Sequence, residues 1–199
     1  LLSVNNIIDI KRIKGLDKIV FDSKDGLTIG AAVTCNQLAE DENVTKKYKL
    51  LAECSEELAS YQLRNRATVI GNLCNASPCA DMAPGLLCMD AELVLVFSES
   101  ERKVKLSEFF AGVKKTILKK GEFVKEIKVP ASMANAKGAY SKKKRIKGHD
   151  LSLVGVAMSV KKDIRVSIGS AYIYPAVLKP FPVTAKLNEI LTAAESAVA

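Results

Sequence analysis

Residues 64–90 read RNRATVIGNLCNASPCADMAPGLLCMD, and the rest of the chain makes most sense as their support. Gly71-Asn72 leads into Asn75, Ala76, Ser77 and Pro78, and then into Asp81. No steady apolar period runs through this stretch, so it reads as irregular backbone rather than helix or strand. Between Gly71 and Ala80 it is uncharged and too apolar for a solvated linker. A buried irregular run leaves backbone N–H groups without regular partners, and an anion such as phosphate would suit them. Gly, Asn, Ser and Pro also build ordinary turns. Composition alone therefore leaves a structural loop and a ligand loop both open.

Working outward, residues 48–61 (YKLLAECSEELASY) form the clearest helix, with Leu50, Leu51, Cys54, Leu58 and Tyr61 at helical spacing. Further upstream, Ile7, Ile8 and Ile10 suggest a short strand, Lys24-Asp25-Gly26 a turn, and residues 27–33 a compact apolar strand. Thr34 with Gln37 reads as the cap of a short helix. Downstream, Pro84 opens a short helix over 84–90. Residues 91–97 (AELVLVF) and 102–106 (RKVKL) read as a hairpin across 98–101. Ser107 caps a short helix through Phe109-Phe110, ended by Gly112. Residues 121–130 form a strand ending at Pro130, and 131–138 is the natural boundary between two subdomains. Residues 151–160 and 165–174 read as neighbouring strands of a second sheet, and 184–198 as a helix across it. The pattern is α+β.

The chain has 199 residues, nearly half of them apolar by type, which is enough for a sizeable core. No apolar run approaches the ~20 residues needed to span a bilayer. The first six residues do not form a charged-then-apolar leader, so a cytoplasmic location is expected. The five cysteines are an odd set without C-x-x-C spacing, which argues against a disulfide framework or a zinc site. Cys74, Cys79 and Cys88 crowd the central stretch without an obvious fourth thiolate for an iron–sulfur cluster, and they read as small buried residues. A net charge of +8, sharpest over 142–147, invites a nucleic-acid reading, but aromatics do not interleave with the run and no binding motif surrounds it. The single histidine, His149, follows a glycine in this basic segment and reads as a turn residue. No paired carboxylates or metal-ligand cluster stand out.

The register of Thr68, Gly71, Asn72, Ser77, Pro78 and Asp81 resembles the T-x-G-G-N … S-P-x-x-D motif of the flavin-binding subunit in the xanthine dehydrogenase / carbon monoxide dehydrogenase family. Gln62, Arg64 and Asn65 match the approach to that motif. Tyr140, Lys142 and Arg145, then Asp150-Leu151 and Gly155-Val156-Ala157, resemble a second family segment. The resemblance implies a CO-dehydrogenase-flavoprotein-like FAD-binding domain over residues 1–132. It implies a smaller C-terminal domain of sheet and helices over 133–199. FAD is the implied cofactor, with Thr68, Gly71, Asn72, Ser77 and Asp81 contacting it and Val124 and Lys142 lying close to the flavin. The implied role is that of an oxidoreductase component in a molybdenum hydroxylase. A molybdopterin-binding large subunit selects the organic substrate, and a [2Fe–2S] small subunit passes electrons to FAD, which hands them to NAD or another acceptor.

Three departures bear on this. The family's A-G-G-x-x-L loop lies upstream of Leu1, so the N-terminal part of the domain is expected to be missing. The last helices of the C-terminal domain are likewise expected to be incomplete. Ile70 replaces the first glycine of the G-G pair, where glycine permits positive φ or a close approach and isoleucine resists both. The absent Gly-rich loop and Ile70 favour the alternative of a non-catalytic assembly module that no longer binds flavin.

Overall fold

A computed structural model describes residues 6–198. The leader reading of the first residues thus lies largely outside the described part. Two antiparallel sheets sandwich a group of short helices. The first sheet contains β1 (Ile19–Asp22) and β2 (Gly26–Gly30), joined by a turn at Gly26, whose φ of +94° only glycine adopts freely. A side chain there would also meet the Val129 carbonyl oxygen at 2.1 Å.

The chain then enters α1 (Cys35–Glu40), α2 (Glu42–Lys47) and α3 (Lys49–Glu56). Thr34 and Gln37 form the expected reciprocal cap of α1. The single helix expected over 48–61 stops at Glu56, because Ala59 turns left-handed at φ +44°. The Arg64 guanidinium donates to the exposed carbonyls of Glu56, Leu58 and Ala59 at 2.9, 3.0 and 3.1 Å, closing the helix end. Arg64 itself sits on α4 (Tyr61–Arg64).

The central stretch is more regular than its composition suggests. Thr68 accepts from the Gly71 N–H and caps α5 (Val69–Cys74), which buries Val69, Ile70 and Leu73. A local cap and an apolar i, i+4 pair outweigh the small residues between them. Ile70 carries no positive φ and packs into the core, so the β-branched residue is unstrained where glycine was expected to be needed. Residues 75–81 are the truly irregular part. α6 (Met82–Cys88) follows, with Pro84 in its first turn.

β3 (Glu92–Phe97) and β4 (Ser100–Lys105) make the expected hairpin. The helix expected after Ser107 is a single 3₁₀ turn at Leu106–Glu108, because Phe110 enters β5 (Phe110–Gly112), paired with β6 (Lys115–Thr116). β7 (Phe123–Val129) returns between β2 and β3, giving the order β1-β2-β7-β3-β4. The strand expected at Ile7–Ile10 is not formed. Ile7 and Ile8 stand exposed, and Asp9 accepts from the Lys11 N–H and bends the chain into a 3₁₀ turn.

The second sheet is β8 (Lys137–Lys143), β9 (Val154–Val160), β10 (Asp163–Gly169) and β11 (Ala176–Val177), in the order β11-β10-β9-β8, with the short β12 (Phe181–Pro182) also on β10. α7 (Leu187–Val198) packs Ile190, Ala193 and Ala194 against Ile164, Val166 and Ile168. The main core is continuous from Leu27 and Ile29 in the first sheet, through the helices, to Ala157 in the second. Ser159 and Cys88 stitch α6 to β9: the Ser159 hydroxyl donates to the Cys88 carbonyl at 3.0 Å, and the Cys88 thiol donates to the Ala157 carbonyl at 3.2 Å.

Candidate functional site

The site begins with two helix starts laid side by side. The Cys35 N–H donates to the Ala67 carbonyl at 2.9 Å, and the Val69 N–H donates to the Val33 carbonyl at 3.0 Å. This pairing fixes the start of α5. The Met82 N–H then donates to the Asn72 side-chain oxygen at 3.3 Å, which ties the end of the irregular run back to α5.

Asp81 occupies the cap position of α6, but its side chain does not cap the helix, because its backbone is already helical. The carboxylate turns outward and meets β8. It accepts from the Tyr140 hydroxyl at 2.9 Å and from the Lys142 ammonium at 3.0 Å. Lys142 also donates to the Glu57 carbonyl at 3.2 Å. Tyr140 and Lys142 are two apart on a strand and so share a face. The pair is buried, with the Lys142 side chain 2 % exposed and that of Asp81 8 %. Burial pushes the Asp81 carboxyl above its ordinary value, while the Lys142 charge and the two donated hydrogen bonds pull it back. Burial and the Asp81 charge raise Tyr140, which keeps its proton and remains a donor.

Beside this pair lies a cleft of about 450 Å³, a size typical of small-molecule sites. Asn72, Asn75, Ser77, Asp81, Lys142 and His149 supply its polar wall, and Leu58, Leu63 and Leu151 supply apolar surface. Leu63 and Leu151 are 59 % and 65 % exposed, so the apolar rim is open to an occupant. The Asn72 amide N–H₂ and the Ser77 O–H have no protein acceptor among the described residues. The basic run 142–147 is largely spent on internal pairs: Lys142 with Asp81, Lys144 with Glu57 at 3.1 Å, and Arg145 with Asp150 at 2.9 Å. Arg145 holds the Asp150 carboxyl down to about 2.

Of the residues singled out in the sequence, Asn72, Ser77, Asp81 and Lys142 converge on this cleft. Thr68 and Gly71 do not line it; they form the capped first turn of α5. Val124 is buried in β7 opposite Leu95 and does not line it either. The sequence reading passed over Tyr140 and Glu57 as site residues. The i, i+2 spacing of Tyr140 and Lys142 was the available signal for the first; the second acts through a backbone carbonyl that no side-chain pattern reveals. The thiols of Cys35 and Cys74 are pushed up to about 11 and that of Cys88 to about 12 by burial, so they stay protonated packing groups.

The donor set fits one part of an FAD molecule better than the other. Amide, hydroxyl and ammonium donors beside apolar walls match a planar ring system edged with carbonyl oxygens. The charges in the cleft are already closed in pairs, so none is left over for a diphosphate.

Residues 1–132 match the family model described as the FAD binding domain in molybdopterin dehydrogenase. The chain is 32 % identical over 180 residues to the glyceraldehyde dehydrogenase medium chain of Sulfolobus acidocaldarius, covering 87 % of this chain and 63 % of that one. It is 32 % identical to the carbon monoxide dehydrogenase medium chain of Hydrogenophaga pseudoflava, covering 79 % of this chain and 54 % of the relative. The chain thus spans roughly half to two thirds of these relatives. A solved structure of carbon monoxide dehydrogenase from Hydrogenophaga pseudoflava superposes with a TM-score of 0.85 at 30 % identity, over 95 % of this chain and 69 % of the other. No helix among the described residues is long and apolar enough to cross a membrane.

Proposed function

The chain belongs to the family of FAD-binding domains of molybdopterin dehydrogenases, and from that membership we propose that it is the flavin-carrying part of an oxidoreductase complex of the molybdenum hydroxylase type. The observation that carries the assignment to a place is the convergence of Asn72, Ser77, Asp81 and Lys142 on one cleft. Bound FAD supplies the redox chemistry. The protein contributes position. Asn72 and Ser77 donate hydrogen bonds, Asp81 holds Lys142 in place, and Lys142, which already donates to Asp81 and the Glu57 carbonyl, offers its remaining N–H to the ring edge. Leu63 and Leu151 cover an apolar face of it. Thr68 and Gly71 act indirectly, by fixing the start of α5, and Val124 acts by packing behind it.

Within the complex, electrons reach the flavin from [2Fe–2S] clusters on a small partner subunit and leave to NAD or another acceptor, while a molybdopterin-binding large subunit handles the organic substrate. Residues 1–132 form the flavin unit and 133–199 the smaller unit that closes the cleft through β8. The buried or half-buried free thiols suit a reducing cytoplasm.

The internal closure of the Asp81 and Lys142 charges favours a second reading, an assembly module with no bound flavin. An absorption spectrum of the purified chain, taken before and after FAD addition and desalting, separates the two. A retained two-band flavin spectrum that is lost in Asp81→Ala supports the cofactor reading. A protein that stays colourless after FAD addition supports the assembly module.

A further inference from the structure

We propose that Tyr140 is the positioning residue of the cleft, setting the orientation of Asp81 and, through it, the ammonium of Lys142, with Gly155 of β9 providing the space in which its hydroxyl sits. The proposal rests on the flavin reading above and adds a control element to it, since the pieces that hold Asp81 come from the second sheet.

Three observations carry it. The Asp81 carboxylate does not cap its own helix, so nothing on α6 fixes its rotamer. One oxygen accepts from Tyr140 and the other from Lys142, which makes β8 the element that orients it. A Cβ added at Gly155 would lie 2.5 Å from the Tyr140 hydroxyl oxygen and 3.2 Å from its Cζ. Gly155 has no positive φ to explain its small size, so its role is to leave room for the ring. The Tyr140 backbone is held as well, its N–H donating to the Glu53 carboxylate at 3.3 Å.

The groups facing Asp81 are Lys142 and Tyr140 from β8, Glu57 and Cys54 from α3 and the turn after it, and His149 and Asp150 across the cleft, with the Cys35 and Cys79 thiols nearby. Of these, Lys142 and Tyr140 donate to the carboxylate and favour its charged form, whereas Glu57 opposes it. Removing the Tyr140 hydroxyl takes away one of the two direct donors. The carboxyl then holds its proton to higher pH, and flavin is lost sooner on acidification.

The test is a ¹³C NMR titration of the Asp81 side-chain carboxyl in the flavin-free 199-residue chain, for the parent, Tyr140→Phe and Gly155→Ala, alongside FAD affinity measured from pH 5 to 8. Tyr140→Phe should raise the Asp81 midpoint by about one pH unit and weaken FAD about tenfold. Gly155→Ala, which keeps the hydroxyl but displaces it, should do the same. An unchanged midpoint in Tyr140→Phe overturns the proposal. So does a raised midpoint in a chain whose flavin affinity is untouched. If the parent chain binds no FAD, the cofactor reading fails, and the titration still decides whether Tyr140 holds Asp81.

Discussion

Asp81 and Lys142 form an ion pair that is almost entirely buried. Taking two ions out of water costs more than a surface pair would, and close geometry recovers that cost only while both partners are present. Asp81→Ala should therefore destabilise the fold by about 3–5 kcal/mol in urea denaturation, because the Lys142 ammonium is left buried without its partner. Adding Lys142→Met should recover at least half of that loss, since the stranded charge is gone. Equal losses in the single and double variants would show that Lys142 finds water or another acceptor once Asp81 is removed.

Packing of the elements depends on a few small residues. α6 lies against α3 because Gly85 carries no side chain: a Cβ there would stand 2.5 Å from the Cys54 sulfur. Gly85→Ala should cost about 1–3 kcal/mol by crowding a filled core. Cys54→Ala in the same chain should return part of it, measured as Tm. A Gly85→Ala chain as stable as the parent would mean the two helices slide freely.

On the other side of the first sheet, Glu122 clamps the turn before β7 onto β4. It accepts from Arg102 at 2.8 and 2.9 Å and from the Lys119 N–H at 2.8 Å. Arg102 first, then the Lys119 amide, holds its carboxyl down to about 2. The folded value lies below the unfolded one, so the stabilisation is complete above about 4.5 and disappears as pH falls toward 2. Glu122→Gln should make Tm fall less steeply across that window. Asp150, also held at about 2 by Arg145, will leave some slope behind.

At this scale the sequence was readable where a local device fixes the element. The Thr34 cap, the 91–106 hairpin and the β9–β10 pair follow from caps, turn residues and period-2 alternation. It was misread where a distant group decides. The 48–61 helix ends because of Arg64, and Ile7–Ile10 has no neighbouring strand to pair with. α5 was overlooked because its small residues drew more weight than the Thr68 cap and the buried Leu73.

For the whole molecule, the cleft exists only because the second sheet folds back onto the helices packed beneath the first. Asn72 and Asp81 lie in one motif, whereas Lys142 lies some sixty residues after Asp81, and β8 brings them together. Four of the seven candidate residues line the cleft, three of them from that one motif. Motif spacing could not separate Thr68 and Gly71 from the cleft, because a matching register does not say whether a residue lines a site or braces it from behind. Where the flavin sits is decided by a crystal structure of the chain grown with FAD. The ring system should lie between Leu63 and Leu151, with its polar edge toward Asn72, Ser77 and Lys142. A flavin seated elsewhere on the molecule, with this cleft empty, would contradict it.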